Sequence, residues 1–245
     1  MSWSFRPKLW PVLGTLAGCA LTTYLGIWQI HRGAEKQALE GQYAAAALQA
    51  PVELQADTPP PRDLAAAAVT LHGEYLVGRQ LLLDDQVQND IPGYEVWTPL
   101  RLASGGLVII NRGWVPHGPD RRTLPPLPAA AGEVSLHGLW RSLPEPGIRL
   151  GGSGCAPGQV PELWPRLVLY PTVADLRCFY GEPVLAGEVL LAPDVPDVPG
   201  GFLRDWRINP PGFPPVRHYA YAAQWFAFAL TLLVLFLKLN LKRIP

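Results

Sequence analysis

The sequence is poor in the residues that hold soft metals. Its 245 residues include three cysteines and one methionine, Met1. A copper carrier needs paired cysteines or a methionine-rich tract, because thiolate and thioether ligands select Cu(I), so copper delivery fits poorly. Cys155 and Cys178 have 22 residues between them and no neighbouring ligand set. They leave two readings open, a disulfide in an oxidising compartment or two free thiols, and free thiols are the expectation. His72, His117 and His137 stand alone, with none of the ligand spacing of a zinc site. No Gly-x-Ser-x-Gly elbow appears. Gly151-Gly152-Ser153-Gly154 lacks the Lys-Ser/Thr that completes a phosphate loop. The absence of these motifs argues against an enzyme. Twenty basic and twenty acidic residues cancel, so charge offers no case for a nucleic-acid partner.

Acidic residues are also missing from both ends: all twenty lie between Glu35 and Asp205. Two stretches lack charge altogether, residues 9–30 (22 residues) and 219–237 (19 residues). A helix needs about 20 apolar residues to cross a hydrocarbon core about 30 Å thick, and both stretches meet that length. Trp10 and Trp28 bracket the first; Tyr219, Tyr221 and Trp225 open the second, as in an interfacial aromatic belt. The boundaries read as a tail at 1–8, a span at 9–30, a large domain at 31–217, a span at 218–237 and a tail at 238–245. Charge near the span ends does not orient this hairpin. Arg6, Lys8, Lys238, Lys242 and Arg243 on the tail side balance Arg32, Lys36, Arg204, Arg207 and Arg217 on the loop side. Leu16-Ala17-Gly18-Cys19 is similar to a lipobox, but the apolar run continues eleven residues beyond it. The favoured reading of Gly14, Gly18 and Cys19 is a small-residue face for helix packing.

What is present in the loop is strand-like. Residues 31–49 continue the first helix, and Pro51 ends it. Thr58-Pro59-Pro60-Pro61 reads as a linker and residues 65–68 as irregular. Val69-Thr70-Leu71-His72-Gly73-Glu74-Tyr75 alternates apolar and polar, the period of a half-buried strand. Further strands are expected at 81–83, 94–100, 107–115, 134–140, 184–191 and 202–208. Turns are expected at Asp84-Asp85, Ile91-Pro92-Gly93 and Ser104-Gly105-Gly106, and loops at 125–128 and 150–165. Thr172 with Asp175 forms a capping-box pattern, starting a short helix that stops at Gly181. Asn209-Pro210-Pro211-Gly212-Phe213-Pro214-Pro215 is a stiff connector. The fold class is therefore a membrane protein whose N- and C-terminal transmembrane helices flank a mainly antiparallel, barrel-like α+β domain.

Four segments form a set. Leu25-Gly26-Ile27-Trp28-Gln29 is followed by Arg32 and Lys36. Gly93-Tyr94 is followed by Thr98-Pro99-Leu100. Then come Asn111-Arg112-Gly113-Trp114-Val115-Pro116 and His218-Tyr219-Ala220-Tyr221-Ala222-Ala223-Gln224-Trp225-Phe226. Together and in this order they resemble the surfeit locus protein 1 family; residues 143–199 match it only loosely. The resemblance implies an assembly factor for haem-copper cytochrome c oxidase, aiding haem a delivery or insertion into the catalytic subunit. Its implied partners are that subunit, other assembly factors and the lipid bilayer. Its implied location is the bacterial cytoplasmic (inner) membrane, multi-pass, with the central domain periplasmic.

The resemblance makes His218 the candidate axial ligand of haem a iron, since haem iron takes imidazole. Tyr221, Trp225, Trp28, Arg112 and Trp114 are the other candidate haem contacts. Arg112, like Arg32 and Arg217, carries the guanidinium that pairs bidentately with carboxylates such as propionates, and His31 is a candidate second ligand. Each has a plainer alternative. His218 is a helix-end residue, Arg112 a buried base paired with an acid, Trp114 a core ring, and Trp28 and Gln29 helix-packing residues. The functional alternatives are a cofactor-free scaffold or chaperone of an envelope complex and, less favoured, a membrane-anchored periplasmic enzyme.

Overall fold

The computed structural model describes residues 2–5, 7–57, 60, 65–118, 120, 123–145, 155, 163–197, 201–206 and 213–244. The 151–154 segment, most of the 58–61 linker and residues 209–212 of the connector lie outside them. The chain divides into two compact units, residues 1–41 with 209–245, and residues 42–208.

The first unit is a helix pair. Strand β1 (Ser2–Phe5) leads to α1 (Leu9–Ala47), and α3 (Pro215–Asn240) leads to β10 (Leu241–Ile244). β1 and β10 pair antiparallel, tying the two tails together. At 39 residues, α1 is roughly 58 Å long at about 1.5 Å per residue. It therefore outruns a bilayer core, and its last part is the expected continuation past the apolar run, ending at Ala47. Pro215 opens α3, where its missing N–H costs nothing, and Lys238 sits in the last turn, favourable to the helix dipole. Both helices are long and apolar enough to cross a membrane, and their apolar windows are almost wholly exposed. Two spans make a hairpin rather than a many-span bundle. The helices meet where α1 has glycine. A Cβ on Gly26 or Gly33 would lie 2.8 Å from the ring of Phe226 or Tyr219, and one on Gly18 would lie 3.0 Å from Leu232. Cys19 Sγ donates to the Ala229 carbonyl oxygen at 3.5 Å. The small-residue face is thus Gly18, Cys19, Gly26 and Gly33. Gly14 is not part of it, since a Cβ there would meet nothing within 4 Å.

The second unit is a sheet wrapped into a ring. Its strands are β2 (Val52–Glu53), β3 (Ala66–Tyr75), β4 (Leu81–Gln88), β5 (Ile91–Leu102), β6 (Leu107–Pro116), β7 (Glu133–Arg141), β8 (Arg166–Val168) and β9 (Val184–Leu191), with helix α2 (Val173–Tyr180) between the last two. The order is β2-β3-β7-β9-β6-β5-β4-β8, and β3 also pairs with β5. Five strands, β3-β7-β9-β6-β5, therefore close on themselves, while β4 and β8 extend from β5. Most pairings are antiparallel, but β6–β9, β4–β8 and β2–β3 are parallel. Side chains from all five ring strands, among them Val69, Leu71, Leu100, Val108, Trp140 and Val189, form one buried cluster. Each such side chain contributes about 1.5–3 kcal/mol by burial. The opposite face of β4–β6, with Leu81, Trp97 and Ile109, packs against Leu176, Phe179 and Tyr180 of α2. Thr172 caps α2 with a reciprocal box to Asp175, and Gly181 stops it at φ 70°.

Several local expectations are corrected. Ala66–Ala68 are strand, held by pairing with Leu139–Arg141. Asp84 and Asp85 form a bulge inside β4 rather than a turn, since the register shifts between Leu83 and Gln86 and Asp85 takes φ 62°. The turn is at Asn89-Asp90, both at positive φ, and Ile91-Pro92-Gly93 already belong to β5. The expected strand at 202–208 is, among its described residues, a single bridge from Leu203 to Trp114. Cys155 and Cys178 form a disulfide with Cα atoms 6.2 Å apart, against the expectation of free thiols. The fold brings together two cysteines whose sequence separation gave no sign of pairing.

Candidate functional site

His218 lies in the first turn of α3 and is half-buried. Its Nδ1 is 2.7 Å from Oε1 of Gln29 on α1. A glutamine carbonyl oxygen only accepts, so Nδ1–H is the donor of this bond and Nε2 is the ring nitrogen turned to another partner. This is the arrangement of a metal-binding histidine, in which the second nitrogen is oriented by an outer partner. The next residue, Tyr219, packs over Gly33 and its hydroxyl donates to Gln37 Oε1 at 3.1 Å. Tyr221 lies three residues from His218, partly exposed, with its ring 6.5 Å from Phe213. Trp225 is two turns along the same face, its ring 5.8 Å from Phe228. Trp28 is 46% exposed, and His31 is exposed. Arg32 pairs with Glu35 at 2.6 Å on its own helix, and Arg217 lies over the Phe213 ring. Gln29 is the contributor that sequence reasoning gave no ligand role; only its place on the helical face of Gly26 and Gly33 signalled it.

Arg112 and Trp114 belong to the other unit. Arg112 on β6 is fully buried. Its Nε and Nη2 donate to the two oxygens of Asp197, and its guanidinium lies between the rings of Tyr75 and Phe202. Asp197 also accepts from Arg204 at 2.9 Å. Arg204 in turn donates to the carbonyls of Arg112, Ala192 and Val195. Gly113 takes φ +125°, and a Cβ there would fall 2.8 Å from the Leu203 oxygen, so only glycine lets β6 approach this segment. Trp114 exchanges two backbone hydrogen bonds with Leu203 and donates its indole N–H to the Gln86 oxygen. Its ring occupies the space above Gly93, where a Cβ would come within 2.5 Å. The Gly93-Tyr94 and Asn111–Pro116 boxes are therefore two halves of one packing contact.

The first residue of that box leads to a cluster no motif announced. Asn111 donates to Glu95 at 2.8 Å and to Glu188 at 3.1 Å, and Arg141 donates to Glu188 at 2.7 Å. The two acidic side chains thus share the Asn111 amide, and Arg141 is the cation bonded to Glu188. Glu188 is fully buried. Burial pushes its carboxyl up to about 7, against the pull of Arg141 and with the push of Glu95. Tyr43, from the end of α1, has its phenol raised by burial, offset in part by Arg141. Four separate strands supply Glu95, Asn111, Arg141 and Glu188, and α1 supplies Tyr43, which is why no sequence window contained the cluster.

These features define a class: a hairpin of two membrane-capable helices and a β-ring domain, with a histidine at the head of the second helix hydrogen-bonded to a glutamine of the first. The family pattern of SURF1 matches residues 16–230, and the chain belongs to the SURF1 family. That family consists of cytochrome oxidase assembly factors and is not a catalytic one. No curated protein matches the chain.

Proposed function

We propose that this chain receives haem a at His218 and presents it to the catalytic subunit of the oxidase. The observation that carries the reading is the 2.7 Å contact from Gln29 Oε1 to His218 Nδ1, which leaves Nε2 able to ligate iron. Haem iron accepts such a nitrogen axially, and an apolar, aromatic surround buries the macrocycle. The haem is cargo, not a resident catalyst. His218 binds it, Gln29 orients His218, and Tyr221, Trp225 and Trp28 supply aromatic surface at the membrane boundary. Arg112 and Trp114 are assigned to the fold, because their donors are committed to Asp197 and Gln86. The Cys155–Cys178 disulfide supports placing the β unit in an oxidising compartment, hence a periplasmic domain on a bacterial inner-membrane hairpin.

The test is the visible spectrum of the chain purified in mild detergent from cells that make haem a, beside His218→Ala. The expected result is bound haem a in the first and none in the second. Pigment in neither would overturn haem carriage and favour a cofactor-free chaperone acting by protein contact.

A further inference from the structure

The Glu95–Asn111–Glu188–Arg141 cluster has no part in haem carriage, and its charges do not balance. Asn111 is fully buried and its amide is committed: Nδ2 donates to Glu95 and to Glu188, and Oδ1 accepts from the Gly113 N–H. Arg141 donates from Nε to Glu188 Oε1 and holds Nη2 2.7 Å from the same oxygen. With both carboxylates ionised, two negative charges face one guanidinium and a neutral amide. One negative charge is then in excess beside a fully buried carboxyl, a costly state in a poor solvent. The cluster is relieved either by holding one proton or by admitting water. The end of α1 borders it. Residues 42–47 belong to the β unit, and in this stretch Tyr43 and Ala46 are buried while Gln42, Ala44, Ala45 and Ala47 are exposed. Three residues apart, Tyr43 and Ala46 share one helical face. Tyr43 feels the charges of Arg141 and Glu188, which places that face beside the ion pair.

We propose that Glu95 and Glu188 form a proton-sensitive latch for the end of α1. Holding one proton, the pair balances Arg141 and the Tyr43–Ala46 face stays seated; having lost it, the excess charge draws in water and that face lifts. The groups that face Glu188 are Glu95 of β5, Asn111 of β6, Arg141 of β7 and Tyr43 of α1. Burial raises the Glu188 carboxyl from 4.5 to about 7, opposed by Arg141 and reinforced by Glu95. The seated form therefore binds a proton that the lifted, solvated form releases. Lifting is favoured progressively as pH rises from 4.5 to about 7 and gains nothing further above that. The latch acts without haem, so it stands or falls separately from the reading of His218.

The experiment is thiol labelling of Ala46→Cys in the full chain in mild detergent, with Cys19→Ser and with the Cys155–Cys178 disulfide left intact. The rate at each pH is divided by that of Leu48→Cys, at a position 88% exposed, which removes the reagent's own pH dependence. The ratio is expected to rise roughly fivefold or more from about pH 5 to about pH 7.5, within the tenfold per pH unit that one proton supplies, and to level off above. Glu188→Gln and, separately, Glu95→Gln each leave one carboxylate against one guanidinium, so in both the ratio should stay at its low-pH value throughout. A ratio that does not change with pH while both glutamates are present, or a rise that persists in either variant, overturns the latch. Deuterium uptake by residues 42–48 of the chain without cysteine substitutions, corrected for intrinsic exchange, reads the same lifting with the same two outcomes, so the test survives a failure of Ala46→Cys to fold.

Discussion

Asp197 serves two arginines, and this makes its loss different from the loss of either partner. Removing one member of a buried ion pair costs about 3–5 kcal/mol, because the other charge is left unpaired in a poor solvent. Asp197→Ala leaves both the fully buried Arg112 and the nearly buried Arg204 without their carboxylate, so its cost belongs at or above the top of that range, about 5 kcal/mol. Arg112→Met is milder. Asp197 keeps Arg204 at 2.9 Å, and methionine keeps apolar contact with Tyr75 and Phe202, so the expected cost is about 1.5–3 kcal/mol, the scale of a lost charged hydrogen bond. The difference, roughly 2–3 kcal/mol, is larger than the ~1 kcal/mol at which single-substitution effects centre. The assay is reversible denaturant unfolding of the full chain in detergent, followed by fluorescence or circular dichroism, with each variant measured at the same ionic strength. Equal losses for the two substitutions, or a larger loss for Arg112→Met, would refute the reasoning that a shared counter-ion sets the cost.

Glu188 predicts a pH dependence. Its carboxyl is raised from 4.5 to about 7 in the fold, so the folded state holds a proton that the unfolded state releases. Stability attributable to this group is full below about pH 4.5 and falls as pH rises towards 7; Glu188→Gln should flatten that part of a melting-temperature profile, and an unchanged slope would count against the assignment. Reducing Cys155–Cys178, which are 23 positions apart, should cost about 3 kcal/mol through loop entropy, seen as a lower thermal midpoint with reductant that Cys155→Ser/Cys178→Ser reproduces and reductant no longer moves. In the helix pair, Ala229→Cys should cross-link to Cys19 under mild oxidation, since Cys19 Sγ already lies 3.5 Å from the Ala229 oxygen. Adding Gly26→Leu should suppress that cross-link by forcing Phe226 away, and an undiminished yield would show that glycine does not set the approach.

The parts of the fold visible in the sequence are those fixed by local chemistry. Thr172, Asp175 and Gly181 carry the whole account of α2 within ten residues, and β9 occupies its expected span, Val184–Leu191. The two membrane-capable helices follow from uncharged length alone. What escaped the sequence depends on distant partners. Ala66–Ala68 have poor intrinsic strand preference and are strand only because β7 lies alongside. Ile91-Pro92-Gly93 reads as a turn until Pro116 pairs with Gly93 and Gln86, Val87 and Gln88 pair along the segment. The parallel β6–β9 contact, the disulfide and the Glu95–Asn111–Glu188–Arg141 cluster each join elements far apart in the chain. For the site, the aromatic surround and His218 were readable as a position and a residue type. The Nδ1 contact was not, because Gln29 is 189 residues away.

The central claim is that His218 offers Nε2 to haem iron, and the most direct measurement of it is ligand replacement. His218→Gly, purified in detergent from haem a-producing cells, is titrated with free imidazole and haem a while the visible spectrum is recorded. The account predicts a variant without pigment that regains a wild-type-like haem a spectrum as imidazole fills the vacated position. A variant that keeps its pigment without imidazole, or one that never recovers it although the chain remains folded, would contradict the claim.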